Sequence, residues 1–229
     1  RIDEARARDD ISLAAAGDMA LGEVQSAQGN ALLVATGGIE LDALQAKLIT
    51  ISAGGQLQLR AGGLVEGEAV TANLGSLGMG DAARMQAASL LDVTTVGDMQ
   101  LGQLQVTGGS NAGVMSLVAG GRIAGNGDGQ VNLLSVAGTQ VNLNAQTGLG
   151  QNGERLSIAG GLVNGGTQGG DAFLELVGPG RIGALVADAG NLDIAGSADI
   201  TFDSLKAGNN LNVVAASLQG GDLLEGQQI

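Results

Sequence analysis

Apolar and polar residues alternate in short runs along most of this chain. Clear examples are Leu-Gln-Leu at residues 57–59 and Leu-Asp-Ile at residues 192–194. A period of two, bounded by Gly, Asn or Asp, predicts short strands that bury one face. The same pattern predicts one outward polar residue between two buried ones at residues 104–106, 131–133, 141–143 and 211–213. Only residues 81–91 (DAARMQAASLL) have a helical composition, and they predict a loop or short helix inserted between strands.

The strands belong to a repeating unit. The segment GDMALGEVQ at residues 17–25 returns as GDMQLGQLQ at residues 97–105. Gly-Gly or Gly-x-Gly pairs begin at residues 62, 120, 160, 178 and 220. The spacings between these positions all lie near multiples of about 20, which is a typical repeat length for a solenoid. We therefore expect a coil of about 20 residues, with glycine-rich corners where the chain turns sharply.

The composition indicates how such coils are packed. The 229 residues include 42 Gly and are 44% hydrophobic, yet the aromatic residues are two Phe and nothing else. A core almost without rings is built from small aliphatic side chains, which fill a narrow interior. We therefore predict an all-β protein, one right-handed parallel β-helix over residues 1–229, with about eleven coils and a length of about 50 Å. The alternative is an antiparallel sandwich or roll, which predicts a less regular repeat and a bulkier core.

The charged residues exclude several classes of partner and of chemistry. Ten Lys and Arg oppose 23 Asp and Glu, and the formal net charge of −13 makes nucleic acid and anionic membranes poor partners. The absence of His and Cys removes the commonest acid–base group, disulfides and the usual zinc ligands. Because no apolar run approaches the ~18 residues of a membrane span, we predict none.

The two ends of the chain predict a piece of a longer protein. The sequence begins with neither an initiator Met nor a signal-peptide pattern. Seven of the first ten residues are charged, with both signs. We interpret them as a solvated coil edge, with a docking patch as the alternative. The open end of a solenoid normally needs a polar cap, and neither end has the pattern of one.

Acidic pairs are the candidates for catalysis, because some β-helices cleave polysaccharides with two carboxylates at a fixed separation. The pairs that could share a face are Asp199 with Asp203 and Glu40 with Asp42. Sugar-cleaving sites also use aromatic rings, but Phe173 and Phe202 lie in apolar alternation, which predicts that both fill the core. The two lysines, Lys47 and Lys206, each adjoin a predicted strand start and are expected to be solvated. We assign no catalytic residue and predict that the chain is not an enzyme.

One loop has the composition of a calcium site. Residues 125–131 (GNGDGQV) resemble a single copy of the glycine-aspartate nonapeptide that winds around Ca²⁺ in toxin-type β-rolls. That motif works in tandem copies, because each ion is shared between adjacent turns. We therefore favour a solvated corner over a weak extracellular calcium site, and assign no metal ligand and no cofactor.

Asparagine is frequent in the second half of the chain. The residues in question are Asn126, Asn132, Asn142, Asn144, Asn152, Asn164, Asn191, Asn209, Asn210 and Asn212. In stacked coils, equivalent Asn side chains can hydrogen-bond along the solenoid axis as ladders. We favour this structural role over its alternative, contact with carbohydrate hydroxyl groups.

Three segments resemble repeats of filamentous haemagglutinin-type exoproteins, the large secreted partners of bacterial two-partner secretion systems. They are ISAGGQLQL at residues 51–59, GDMAL at residues 17–21 and AGNLDI at residues 189–194. The resemblance covers about residues 11–224 and matches the shaft of such proteins, since their Asn-rich secretion motifs are not evident. It implies a right-handed parallel β-helix that is exported through the outer membrane of a Gram-negative cell. It carries over no catalytic residue.

These observations lead to a functional expectation. We expect the shaft and adhesive segment of a large secreted surface adhesin, which attaches to cells, matrix or host through many weak contacts. The expected partners are an outer-membrane transporter, through other parts of the protein, and an extracellular polysaccharide or cell-surface receptor. The alternative is a passive stick that projects a C-terminal toxin in contact-dependent inhibition. A polysaccharide-degrading β-helix enzyme is the third possibility.

Overall fold

The computed structural model describes residues 1–108 and 112–228, and this part of the chain is all-β, without a helix. Its 22 strands are parallel and form one continuous solenoid sheet. The strands are β1 (Ile2–Ala7), β2 (Ile11–Ala15), β3 (Met19–Ser26), β4 (Ala31–Ala35), β5 (Ile39–Gln45), β6 (Leu48–Met79), β7 (Arg84–Thr95), β8 (Met99–Leu101), β9 (Gln103–Val106), β10 (Val114–Ala119), β11 (Arg122–Gly125), β12 (Leu133–Ser135), β13 (Gln140–Ala145), β14 (Gly148–Leu149), β15 (Leu156–Ala159), β16 (Leu162–Thr167), β17 (Ala172–Leu176), β18 (Gly180–Ala187), β19 (Leu192–Gly196), β20 (Ile200–Ala207), β21 (Leu211–Val214) and β22 (Leu218–Glu225).

The strand pairing winds the chain into stacked coils of similar length. Near the amino terminus β1 pairs with β3, β3 with β5, and β2 with β4. Leu13 lies beside Leu33, and Leu33 lies beside Ile51, so equivalent residues recur once in every coil. About 11 such turns stack on one another, with roughly 20-residue coils. The predicted parallel β-helix and its coil length are confirmed, and the antiparallel alternative is wrong.

The coils in the middle of the chain are longer than the coil of about 20 residues that the repeat predicted. Val114 of β10 pairs with Gln140 of β13, and Leu104 of β9 pairs with Leu133 of β12. Both separations along the sequence exceed those of the first coils. Residues 126–132 form a loop between β11 and β12, while the paired strands keep their register. Insertions are therefore accommodated at corners, where they leave the stacked core intact.

Each coil directs apolar side chains of its strands toward a narrow interior. In one coil, Leu33, Ile39, Leu41 and Leu44 are all fully buried. Like residues stack on like residues between coils: Leu21 pairs with Leu41, which pairs with Leu59. Burial of each such side chain contributes about 1.5–3 kcal/mol. The small aliphatic core inferred from the composition is thus a column of leucine, isoleucine, valine and alanine side chains.

The predicted loop or short helix at residues 81–91 is wrong. Only residues 81–82 form a turn, and β7 (Arg84–Thr95) follows as a strand of 12 residues. Met85, Ala87, Leu91 and Val93 point toward the interior and are fully buried. Alanine and methionine favour helices in isolation, but pairing with β6, β9 and β10 on both sides overrides that preference.

The glycine pairs lie at corners, as the repeat predicted. Positive φ angles occur at Gly62 (70°), Gly160 (77°), Gly178 (85°) and Gly220 (117°). Gly120 has an ordinary φ, but a Cβ atom there would overlap the carbonyl oxygen of Val96 in the preceding coil. Glycine is therefore needed at corners for two reasons, the left-handed backbone and the close approach of stacked coils.

Among residues 1–108 and 112–228, no helix is long and apolar enough to cross a membrane.

Candidate functional site

Three shallow depressions join into one groove along one side of the solenoid. The first, of about 570 Å³, extends from Asp18 to Gln58. It shares Gln56 with the second, of about 420 Å³, which in turn shares Arg122 and Gln151 with the third, of about 480 Å³. We call this feature the axial groove, because it crosses successive coils from β3 to β21. Such volumes lie in the range of ligand pockets.

A ladder of Asp and Asn side chains forms one border of the axial groove. Each residue precedes an inward-facing strand and accepts a hydrogen bond from the main chain of the next coil. Asp18 Oδ1 accepts from Gly38 N at 2.8 Å, and Asp98 Oδ1 accepts from Arg122 N at 2.7 Å. These two Asp residues are those of the repeated Gly-Asp-Met motif. The motif recurs because the same corner needs an acceptor for the coil above it.

The ladder continues at the carboxyl-terminal end of the groove. Asp171 Oδ1 accepts from Asn191 N at 2.7 Å and from Asn191 Nδ2 at 3.0 Å. Asn191 Oδ1 then accepts from Asn210 N at 3.1 Å. The predicted role of Asn side chains in ladders along the axis is confirmed for Asn191, whereas Asn210 takes part through its main-chain N–H. The same side chains also line the groove, so one border is both structural and accessible.

Phe173 lies on the outer surface and lines the third depression. Its neighbours in β17, Ala172 and Leu174, point inward and are buried, which leaves the Phe173 ring outward and half-buried. In the preceding coil Leu149 pairs with Ala172, so the residue that follows it beside Phe173 is Gly150, which has no side chain. Gly150 therefore leaves space beside the ring, and Arg155, which precedes Leu156 opposite Leu174, is the second neighbour on that side. The expectation that Phe173 fills the core is wrong.

Phe202 behaves as predicted. It is 7% exposed and belongs to the hydrophobic core, with Ile182 of β18 as its register partner. The two rings therefore differ in role: Phe202 fills the interior, and Phe173 is the aromatic side chain of the groove.

Charged side chains of both signs lie around Phe173. Arg155 donates to the Asp193 carboxylate from Nη2 at 3.0 Å and to the Asp193 carbonyl oxygen from Nη1 at 3.0 Å. Asn212 Nδ2 donates to the other carboxylate oxygen of Asp193 at 3.0 Å. Arg122 and Asp171 also line this depression. Glu154 adds a further negative charge beside them, since it accepts from Gln151 Nε2 at 2.6 Å.

Three of the four acidic side chains considered for catalysis are engaged in other contacts. Arg60 joins Glu40, at 2.7 Å from Nη2, and Asp42, at 2.8 Å from Nη1. The hydrogen bonds from Arg60 to Glu40 and then to Asp42 raise the pKa of Arg60 above its ordinary value. Asp199 Oδ1 accepts from Ser217 Oγ at 2.7 Å, and Asp203 is exposed at the irregular point of β20. Glu40 and Asp42 do share a face, where they hold an arginine.

The lysines and the amino-terminal charges lie at the surface. Lys47 is exposed and precedes β6, as predicted. Lys206 lies within β20, not at its start, with Nζ 3.5 Å from Glu225 Oε1. In β1, Arg6 pairs with Glu4 at 2.6 Å and with Glu23 of the next coil at 3.1 Å. These exposed pairs contribute little to stability.

The calcium-like loop is held by hydrogen bonds that use its carboxylate. Asp128 Oδ2 accepts from Ala82 N at 3.0 Å, and Oδ1 accepts from Gln130 N at 2.9 Å. Asn126 Nδ2 donates to the carbonyl oxygens of Met79 and Gly80 at 3.2 and 3.1 Å. Within the described residues, no group of three acidic side chains could hold a metal ion. These hydrogen bonds thus join the loop to a corner two coils away.

Asn132 is buried, which contradicts the outward position predicted from residues 131–133. It is 4% exposed, and its Nδ2 donates to the carbonyl oxygens of Leu101 and Gly102 at 3.3 and 3.2 Å. Its Oδ1 accepts from Ser157 N at 3.1 Å and from Ser157 Oγ at 3.0 Å. Asn132 and Leu133 are two consecutive buried residues, so the alternation is interrupted after the loop, and an amide enters the interior and binds the coils on both sides.

A second ladder, of Gln and Glu, was not predicted from the sequence. Gln45 Oε1 accepts from Gln25 Nε2 at 3.3 Å, and Gln45 Nε2 donates to Glu66 Oε2 at 3.0 Å. Gln86 Nε2 then donates to Glu66 Oε1 at 3.4 Å. The sequence contained a signal for this ladder, because its Gln and Glu residues recur at the spacing of the coils. The ladder is formed by β3, β5, β6 and β7.

A larger depression, of about 650 Å³, lies outside the axial groove. Val118, Val186, Gly165 and Gly166 are among its lining residues, and it has no aromatic side chain. The missing side chains at the two glycines account for its depth. It is a weaker candidate for recognition, since its lining has fewer charged groups and no ring.

Comparisons with known proteins found no match: no family model, no curated protein and no solved structure matches this chain. The function is therefore inferred from the fold and the groove.

Proposed function

We propose that this chain is the shaft and adhesive segment of a large secreted bacterial surface adhesin. The observation that carries the proposal is the axial groove, which repeats polar side chains along successive coils of a parallel solenoid. Stacked strands place equivalent side chains about 4.8 Å apart along the axis. A linear polymer or a crowded cell surface can then make many similar weak contacts, which together raise avidity.

The contacts of the acidic side chains support a binding role over catalysis. Arg60 holds Glu40 and Asp42, and Ser217 donates to Asp199. A general acid and a general base must reach a substrate with their oxygens. We propose that the chain is not an enzyme and that its surface acts by contact alone.

The proposed setting is the surface of a Gram-negative cell. The resemblance of three segments to filamentous haemagglutinin-type repeats supports this location, as does a chain without Cys. An outer-membrane two-partner transporter, acting on other parts of the protein, is the proposed export partner. Extracellular polysaccharide or a cell-surface receptor is the proposed adhesive partner.

Deletion of the segment tests this function directly. In the producing cell, removal of these coils should reduce attachment to other cells or to matrix, and added purified chain should compete with attachment of the intact cell. Attachment that is unchanged by both treatments would contradict the proposal.

The second candidate is a passive stick that projects a toxin in contact-dependent inhibition. The ladder from Gln25 to Gln86 favours it, because outward side chains there bind each other along the axis. Under this interpretation the coils supply length and stiffness only. The deletion would then shorten the reach of the protein, and added purified chain would not compete.

A further inference from the structure

We propose that the axial groove around Phe173 binds an uncharged sugar unit of a linear glycan. This inference rests on the proposed adhesive function and deepens it, because it names the site of contact and the chemical class of the ligand. It follows from an outward ring, the amides beside it, the local charge and the course of the groove.

The Phe173 ring lies at an outward position of its strand, where it does not contribute to the core. Phe173 is one of only two aromatic residues in the chain, and it occupies an outward position in β17. Gly150 beside it has a φ of 61° and contributes no side chain, and the other neighbour from the preceding coil is Arg155, whose guanidinium is held by Asp193. Sugar rings carry an apolar face of C–H groups, which packs against a bare aromatic ring.

Amide side chains lie around the ring. Gln151 and Asn152 project from the turn that follows Gly150, and Asn210 and Asn212 of later coils line the same depression. An amide both donates and accepts hydrogen bonds, as a sugar hydroxyl does. Amides that flank an aromatic platform therefore fit the edge of a hexose ring, while the platform fits its face.

The charges select an uncharged sugar over an acidic one. Arg122, Asp171 and Asp193 line this depression, Arg155 pairs with Asp193, and Glu154 accepts from Gln151 Nε2 at 2.6 Å, so the local charge is not positive. The chain as a whole has a formal net charge of −13. A polymer of uronic acids would be repelled at long range and would gain no net cationic partner in the groove.

The groove continues past one sugar unit. Arg122 and Gln151 belong both to the depression at Phe173 and to the adjoining one, which includes Gln56, Gln100 and Asn126. A ligand that lies along the axis meets further amides in successive coils. This geometry favours a linear polymer over a monosaccharide.

Fluorescence gives a direct test, because the chain contains neither Trp nor Tyr. F173W places the sole tryptophan in the groove, and V34W places it at an exposed position of β4 outside the groove, as a matched control. Each variant is titrated with cellohexaose, maltohexaose, mannohexaose and chitohexaose, and with alginate as the acidic polymer. We expect a saturable emission change in F173W with at least one neutral hexasaccharide and none in V34W.

Calorimetry on the native chain completes the test. F173A should bind the same hexasaccharide about tenfold more weakly, since the aromatic platform is removed. Circular dichroism should be unchanged, because the ring lies outside the core. The proposal is overturned by no emission change with any neutral probe, by equal changes in both variants, by alginate as the tightest ligand, or by unaltered affinity of F173A.

The outcome separates this inference from the adhesive function. If deletion of the segment abolishes attachment while F173A leaves it intact, the adhesive function stands and the glycan site is wrong. If F173W binds a glycan but deletion leaves attachment intact, the site stands and the adhesive function is wrong.

Discussion

Asn132 offers a sharp test of how the longer middle coils are held together. The variant N132A removes the two hydrogen bonds that its Nδ2 donates to the carbonyl oxygens of Leu101 and Gly102, and the two that its Oδ1 accepts from Ser157. Each net hydrogen bond contributes about 0.5–1.5 kcal/mol, and buried partners left unpaired cost more. Ser157 Oγ can still donate to the Gln130 carbonyl oxygen at 3.3 Å. We therefore expect a loss of about 3 kcal/mol.

Urea unfolding followed by far-ultraviolet circular dichroism measures this loss. A loss of about 3 kcal/mol shifts the midpoint by roughly 1 M for an ordinary dependence on urea. N142A is the matched control, because Asn142 is half-buried and outward on β13, and its loss should stay within about 0.5 kcal/mol. Equal losses in the two variants, or a loss below about 1 kcal/mol for N132A, would refute the interior role of this amide.

The corners, the rings and the loop give three further predictions. G165A should lower the free energy of unfolding by about 2 kcal/mol or more, because φ is 120° and a Cβ atom would overlap the Leu143 carbonyl oxygen. The control G17A should be neutral, because a Cβ atom at Gly17 would have no atom within 4 Å. Equal urea midpoints for the two variants would contradict this. F202A should cost about 3 kcal/mol through a core cavity, while F173A should cost less than about 1 kcal/mol, and thermal unfolding compares them. D128A should cost about 1 kcal/mol with or without millimolar Ca²⁺, and a melting temperature that rises with Ca²⁺ only in the native chain would instead support a metal site.

The strands and the coil could be predicted because both leave a local signal in the sequence. Alternation over three residues is enough to assign an inward side, as at Leu57 and Leu59, and stacking in register forces the pattern to return after about 20 residues. The Gly-Asp-Met repeat was informative for the same reason, since Asp18 and Asp98 have the same hydrogen-bonding task. What repeats along a solenoid can be found without its structure.

Two of the missed features depend on distant neighbours. At residues 81–91 the helical preference of Ala and Met was local, but the strand on each side decided the outcome. Asn132 and Leu133 are both buried, so the alternation is interrupted after the loop, which no local pattern shows.

Phe173 was misplaced for a reason that the sequence does contain. Ala172, Leu174 and Leu176 form one in-phase set, and all three are buried, so a residue between them must face outward. The prediction that the ring lies in the core used the hydrophobicity of Phe173 alone. The in–out alternation of its neighbours would have predicted an outward ring. The groove itself could not be predicted, because it joins side chains from many coils.

The central claim is that the surface of these coils contacts other cells or matrix, and that the coils do more than add length to the protein. The most direct measurement exchanges the whole segment in the full-length protein for unrelated β-solenoid coils of equal number, and scores attachment of the producing cell to its matrix or to neighbouring cells. Our account predicts that attachment falls to the level of the deletion, although the length of the protein is preserved. Attachment that survives the exchange would contradict the account and would identify the segment as a spacer.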